Sequence, residues 1–259
     1  MSDIYKSYIQ VLTSRTNLLD MLEDRGFQVD QLRNNTADEI KEIMQNHISG
    51  KFTTLSDIGP LDIFLKKKNK QKIAIKNTSK SESKSESKSE STSIAIDNEI
   101  DNDTEKIYVK YRLDSKFKGT SSLTTQILEI YEKYLTPKDT LIILNMGRVL
   151  MKIGVKDKVD EEYVNELFLK KNFFVQVFGL ENFKFNVSRH IFVPKHTMLS
   201  IKEAQEVIKK YDCTYSNIPT IKRDDAQAKY IGLRPKQICK IIVENVSSGI
   251  TEKYRYCVY

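Results

Sequence analysis

Apolar residues return at helical intervals through the first stretch of the chain. Ile4, Tyr8, Leu12, Leu19 and Leu22 share one face over residues 4–24, and Gly26 in "EDRGF" stops the run. A second helix is predicted from Thr36, which with Glu39 forms a capping box. Its inner face carries Ile40, Ile43, Met44, His47 and Ile48, with His47 read as a packed core residue. Runs rich in β-branched and aromatic residues then predict strands over residues 61–66, 72–76, 106–112 and 140–146. Between the last two, Leu123, Ile127, Ile130 and Tyr134 hold helical spacing until Pro137 ends it, so a strand–helix–strand crossover is expected. A helix over 160–171 and an aromatic strand region over 172–187 follow.

The last quarter is dense in signals. Ser200 and Glu203 make a second capping box, opening a helix whose face is Ile201, Ala204, Ile208 and Tyr211. Asp224 or Asp225 can cap a short helix "AQAKYIGL", with Gly232 at its left-handed end. Strands over 237–243 and 253–259, nine residues apart, predict a long hairpin. The pattern as a whole predicts an α/β (α+β) chain. A mixed-sheet domain flanked by helices spans residues 1–187, and a small α/β domain spans 188–259.

Composition alters this picture in two places. Residues 77–104, with their "SKSESKSESKSES" core, offer nothing to bury and are expected to form a disordered surface insertion. The formal charge of +7 is also uneven, since from Ser188 onward 13 Lys and Arg face 7 Asp and Glu. Such a surface suits DNA phosphates or an acidic protein partner. A separate basic run, "KKKNKQK", makes Lys66, Lys67, Lys68 and Lys70 candidates for phosphate contacts. No apolar run approaches the ~20 residues of a membrane helix. The N-terminus has no signal-peptide pattern, and three scattered cysteines suggest a reducing, intracellular setting.

Three readings compete for "RHIFVPKHTMLSIKEA": a metal site, a catalytic acid/base pair, for which the sequence names no nucleophile or carboxylate partner, and a structural hinge. His190 and His196 could supply two ligands to a metal, but a structural zinc site takes four and no close cysteine pair completes it. The structural alternative has Pro194 hold an extended entry into the capped helix, with the histidines as hinge and packing residues. For the N-terminal part, "PLD" and "DSK" imitate the carboxylate pair of a magnesium-dependent nuclease, through Asp62 and Asp114. No cofactor is implied by any motif.

In their order, these residues resemble the shared fifth subunit of eukaryotic nuclear RNA polymerases, whose C-terminal part stands by itself as a component of the archaeal polymerase. The matching positions are His190, Val193, Pro194 and His196, then Leu199, Ser200 and Glu203, then Tyr211, Pro219 and Ile221. Asp225, Ala228, Lys229, Tyr230 and Gly232 follow, and Lys240, Ile241, Tyr254, Arg255 and Val258 close the set. The N-terminal part resembles the eukaryotic jaw domain more weakly. Departures at Thr220, Ala226 and Val243 point to a divergent member, such as that of a large DNA virus with its own polymerase, or of a protist.

The resemblance implies a non-catalytic subunit whose C-terminal domain docks on the largest polymerase subunit and whose jaw lies beside downstream duplex DNA, read without sequence preference. Docking candidates are His190, Val193, Pro194, His196, Pro219, Ile221, Asp225, Lys229, Tyr230, Gly232, Lys240 and Arg255. It also implies other polymerase subunits and transcription factors as partners, no homo-oligomer, and a nucleus or viral factory as the setting. A nuclease-like N-terminal domain and a free-standing DNA-binding factor are the alternatives.

Overall fold

The computed structural model describes residues 2–49, 58–67, 104–112, 123–145, 161–245 and 249–259. The expected strand over 72–76, the insertion, Lys68, Lys70, Asp114 and the side chain of His47 lie outside the described residues.

Helix α1 (Ser2–Asp24) buries Val11, Leu18, Leu19, Met21 and Leu22, a face turned by about one position from the predicted one. A short α2 (Asp30–Arg33) and then α3 (Ala37–Ser49) follow. The α3 capping box forms as expected: the Glu39 amide donates to Thr36 Oγ1 at 3.3 Å, and the Thr36 amide to the Glu39 carboxylate at 2.8 Å.

Strands β1 (Ile63–Lys66), β2 (Lys106–Arg112), β3 (Thr140–Asn145) and β4 (Phe174–Gly179) lie side by side in that order. β1 runs antiparallel to β2, while β2, β3 and β4 are parallel. The crossovers are made by α4 (Leu123–Tyr134) and α5 (Glu161–Lys171). Both faces of this sheet are covered, which explains the unbroken apolar run of β3. Ile142 and Leu144 join α1 in one cluster; Leu141 and Ile143 join Ile127, Ile130, Val164 and Leu167 in the other.

A second sheet has the order β5 (Lys195–Met198), β7 (Ile238–Asn245), β8 (Gly249–Val258), β6 (Thr220–Lys222). Alternation along its strands gives it two packed faces. Helix α6 (Ile201–Lys210) covers one, where Ala204 meets Ile218 and Ile238. Helix α7 (Ala226–Ile231) covers the other, where Ala228 and Leu233 meet Cys239 and Cys257. Ser200 and Glu203 cap α6 reciprocally, Asp225 rather than Asp224 caps α7, and Gly232 closes α7 at φ 70°. Two expectations fail. Ile201 and Tyr211 do not join the buried face of α6 but stand 79% and 53% exposed. The predicted nine-residue connection is mostly strand, since β7 and β8 pair out to Asn245 and Gly249.

Candidate docking surface and the junction behind it

The histidine loop is held by its own short-range bonds. The Phe192 amide donates to His190 Nδ1 at 3.3 Å, and His196 Nδ1 donates to the Pro194 carbonyl at 2.7 Å. Each imidazole therefore has one nitrogen committed to a local turn. The turn pushes its apolar tip outward, leaving Ile191 89% and Phe192 87% exposed.

Beside this tip lies an open groove of about 770 Å³, walled by Val193, Pro194 and His196 on one side and by Ile221, Asp225 and Arg255 on the other. Six of the twelve docking candidates thus come together, brought from the loop, β6, the α7 cap and β8. Pro219 lines a second groove, which shares only Arg255 with the first. Lys240 is elsewhere: its ammonium pairs with Glu252.

Lys229, Tyr230 and Gly232 face the other way, toward the first sheet. Lys229 Nζ donates to the Val177 carbonyl at 3.0 Å. The Tyr230 hydroxyl donates to Asp24 and accepts from Asn186 Nδ2 at 2.9 Å. Arg25, just past α1, donates Nε to the Tyr230 carbonyl at 2.9 Å and Nη2 to the Lys229 carbonyl and Gln176 Oε1. A cation is thereby set on the C-terminal carbonyls of α7, where the helix dipole favours it. Burial pulls the Arg25 guanidinium down to about 10, the Glu105 carboxylate opposing, and burial with the Asp24 bond pushes the Tyr230 hydroxyl up to about 12. Two further arginines pin the sheets together. Arg223 donates to Asn165 Oδ1 at 2.8 Å and the Val175 carbonyl at 2.9 Å. Arg234 donates to the Pro137 and Lys138 carbonyls and lies over the Phe174 ring, 4.9 Å from its centre. Sequence reasoning assigned no role to Arg25, Arg223, Arg234 or Gln176; the signals at hand were the "DRGF" that ends the first helix, for Arg25, and the charge of the last quarter, for Arg223 and Arg234.

The two remaining candidate chemistries can also be placed. Asp62 does not present a free carboxylate. Its oxygens accept from the Gly59 amide (2.6 Å), Tyr108 hydroxyl (3.1 Å), Lys110 Nζ (2.6 Å) and Tyr111 amide (2.9 Å). With side-chain exposures of 4% for Lys110 and 1% for Asp62, this is a buried ion pair whose lone pairs are spent, which removes Asp62 from the nuclease reading. Among the phosphate candidates, Lys66 is exposed on β1, while Lys67 is bound to Glu105 at 2.7 Å.

Residues 185–257 match the family model described as RNA polymerase Rpb5, C-terminal domain. The DNA-directed RNA polymerase subunit Rpo5 of Archaeoglobus fulgidus is 40% identical over 75 residues, 29% of this chain and 99% of that protein. Rpo5 of Nitrosopumilus maritimus is 39% identical over 72 residues, 28% of this chain and 87% of that protein. A longer match reaches the N-terminal part. The DNA-directed RNA polymerases IV and V subunit 5B of Arabidopsis thaliana is 27% identical over 157 residues, 60% of this chain and 70% of that protein. Fold and matches together define the class, a subunit module of the multisubunit transcription machinery. Within it, the chain belongs to the fifth-subunit family of DNA-directed RNA polymerases.

Proposed function

We propose that the chain is a non-catalytic polymerase subunit that docks through residues 188–259 on the largest subunit and carries residues 1–187 as a jaw beside downstream DNA. The observation that carries this reading is the braced loop with exposed Ile191 and Phe192 at the rim of a groove lined by Val193, Pro194, His196, Ile221, Asp225 and Arg255. A surface of this kind is built to be covered by protein. The Arg25, Arg223, Arg234 and Lys229 bonds support a division of labour in which the docked module fixes the direction of the jaw. DNA contacts, where made, are phosphate contacts by exposed lysines such as Lys66, indifferent to base sequence and weakened by salt. The setting is intracellular, wherever the polymerase works.

The test is co-expression of the full chain with the largest subunit. The double substitution Ile191→Asp and Phe192→Asp changes side chains that are already in water, so the melting temperature holds. Capture of the largest subunit is expected to fall by about tenfold or more, as for loss of a central apolar anchor. Undiminished capture would move the docking role off this loop.

A further inference from the structure

Strand β8 has ten residues, and its two edges are unequally covered. Along one edge β7 accompanies it from Gly249 to Tyr256. Along the other, β6 pairs only with Tyr256, Cys257 and Val258. The directions of the amides are fixed by two bonds. The Cys257 amide donates toward the β7 side, to the Gln237 carbonyl at 2.8 Å, and the Tyr256 amide toward the β6 side, to the Pro219 carbonyl at 2.9 Å. Alternation then turns the backbone N–H and C=O groups of Tyr254, Glu252 and Ile250 to the β6 side. Among the described residues, no strand runs beside them there.

The vacant lane over residues 250–254 is about 16 Å long, enough for five residues of extended chain. It is also open. A groove of about 400 Å³ lies alongside, walled by Val207 and Tyr211 of α6, by Ile218 and Pro219 ahead of β6, and by Glu252 through Arg255 of β8 itself. Arg255 also lines the larger groove of the docking surface.

We propose that an extended segment of the largest polymerase subunit docks here as an added strand, occupying the lane that β6 fills further along. This rests on the docking reading above and specifies its chemistry. Backbone pairing supplies the register, and the side chains of β8 state what the partner carries. On one face of the lane stand Lys253 and Arg255, neither with a carboxylate partner among the described residues. On the other stand Tyr254 and Ile250, the latter 71% exposed, beside the exposed ring of Tyr211. Glu252, on that same face, is neutralised by Lys240 and by the Tyr254 hydroxyl at 2.8 Å. The fitting segment therefore alternates acidic residues, set beside Lys253 and Arg255, with apolar ones set beside Tyr254 and Ile250.

The test compares Glu252→Pro with Glu252→Ala in the full chain co-expressed with the largest subunit. Both lose the carboxylate, but only proline deletes the outward amide, at an edge position where no backbone bond among the described residues depends on it. Glu252→Ala is expected to capture the largest subunit like the wild type, and Glu252→Pro about tenfold less or worse. Equal capture by the two variants overturns strand addition while leaving docking intact. Failure of the wild type to capture the subunit overturns docking first, and this inference with it. Should Glu252→Pro melt lower than Glu252→Ala, amide exchange in the wild-type complex decides. Slowed exchange at Glu252 and Tyr254 on binding is the expected result, and unchanged exchange overturns the proposal.

Discussion

Arg25 does more in the fold than its place in "EDRGF" spells out. In that stretch the glycine carries the local message, a helix stop at φ 90°. Folded, the arginine is the donor that satisfies the end of α7, about 200 positions away. Gly232 shows the converse. Its role as a left-handed cap was legible, but the second demand on it was not: a Cβ there would sit 3.2 Å from Arg25 Cζ. Arg25→Met keeps much of the stem and deletes the donors. The Tyr230 carbonyl loses its Nε–H donor while the Lys229 carbonyl keeps Gln176 Nε2 and the Gly232 amide, both at 3.2 Å, and the expected loss is about 1–2 kcal/mol, moderated because the buried guanidinium is itself costly to desolvate. Urea unfolding measures it, and faster amide exchange over residues 226–231 locates it. Gly232→Ala combines backbone strain with the close approach and is expected to cost about 1–2 kcal/mol.

Among the elements, those with regular apolar periodicity were legible and those that use polar residues were not. The β2–α4–β3 crossover and both capping boxes follow directly from spacing and side-chain type. The face of α1 was misread because an apolar tally passes over Ser14 and Arg15, both buried. Ser14 bonds back to the Val11 carbonyl, and Arg15 reaches the Leu61 carbonyl at 3.1 Å. The β7–β8 hairpin was drawn short for the same reason, since Glu244, Asn245 and Thr251 are strand residues with loop-like chemistry. Asp62 and Lys110 are the sharpest instance. The sequence suggested a metal-binding carboxylate before β1; the fold makes that carboxylate the anchor tying the β1 entry to β2. Asp62→Ala removes a buried carboxylate on which Lys110, Tyr108 and two backbone amides converge and is expected to cost about 3–5 kcal/mol, whereas Asp62→Leu with Lys110→Met should recover most of it. Urea midpoints for the wild type and the two variants distinguish this from a simple loss of packing, which the pair replacement would not repair.

At the scale of the whole molecule, the excess positive charge of the last quarter was read as an outward surface, and part of it is not. Arg223 is 6% exposed, and together with Lys229 and Arg234 it is spent on carbonyls of β4 and of the turn before β3. Sequence shows how many charges a segment holds; only the fold shows which of them are internal fasteners. Proton linkage makes a global prediction from the groups buried in both sheets. Burial pushes the Cys239 thiol up to about 11, the Cys257 thiol up to about 12 and the Tyr111 hydroxyl up to about 12, against ordinary values of 9.0 for the thiols and 10.0 for the phenol. The native state then holds protons that the unfolded chain releases. Their stabilising contribution is complete below about pH 9 and is lost as the pH climbs toward 11–12, by up to ~1.4 kcal/mol per pH unit for each group. Arg25 works in the opposite sense, because its lowered value makes its burial less costly above about pH 10, but it stands against these three groups and the raised hydroxyls of Tyr131, Tyr230 and Tyr254. The urea midpoint is expected to stay level from about pH 7.5 to 9 and then to fall steeply, and in a Cys213→Ser background, which removes the one partly exposed thiol, thiolate absorbance should appear together with unfolding. Thiolate absorbance rising near pH 9 in that variant while it is still folded would show that Cys239 and Cys257 are open to solvent, and the packing of the second sheet beneath α7 would have to be redrawn.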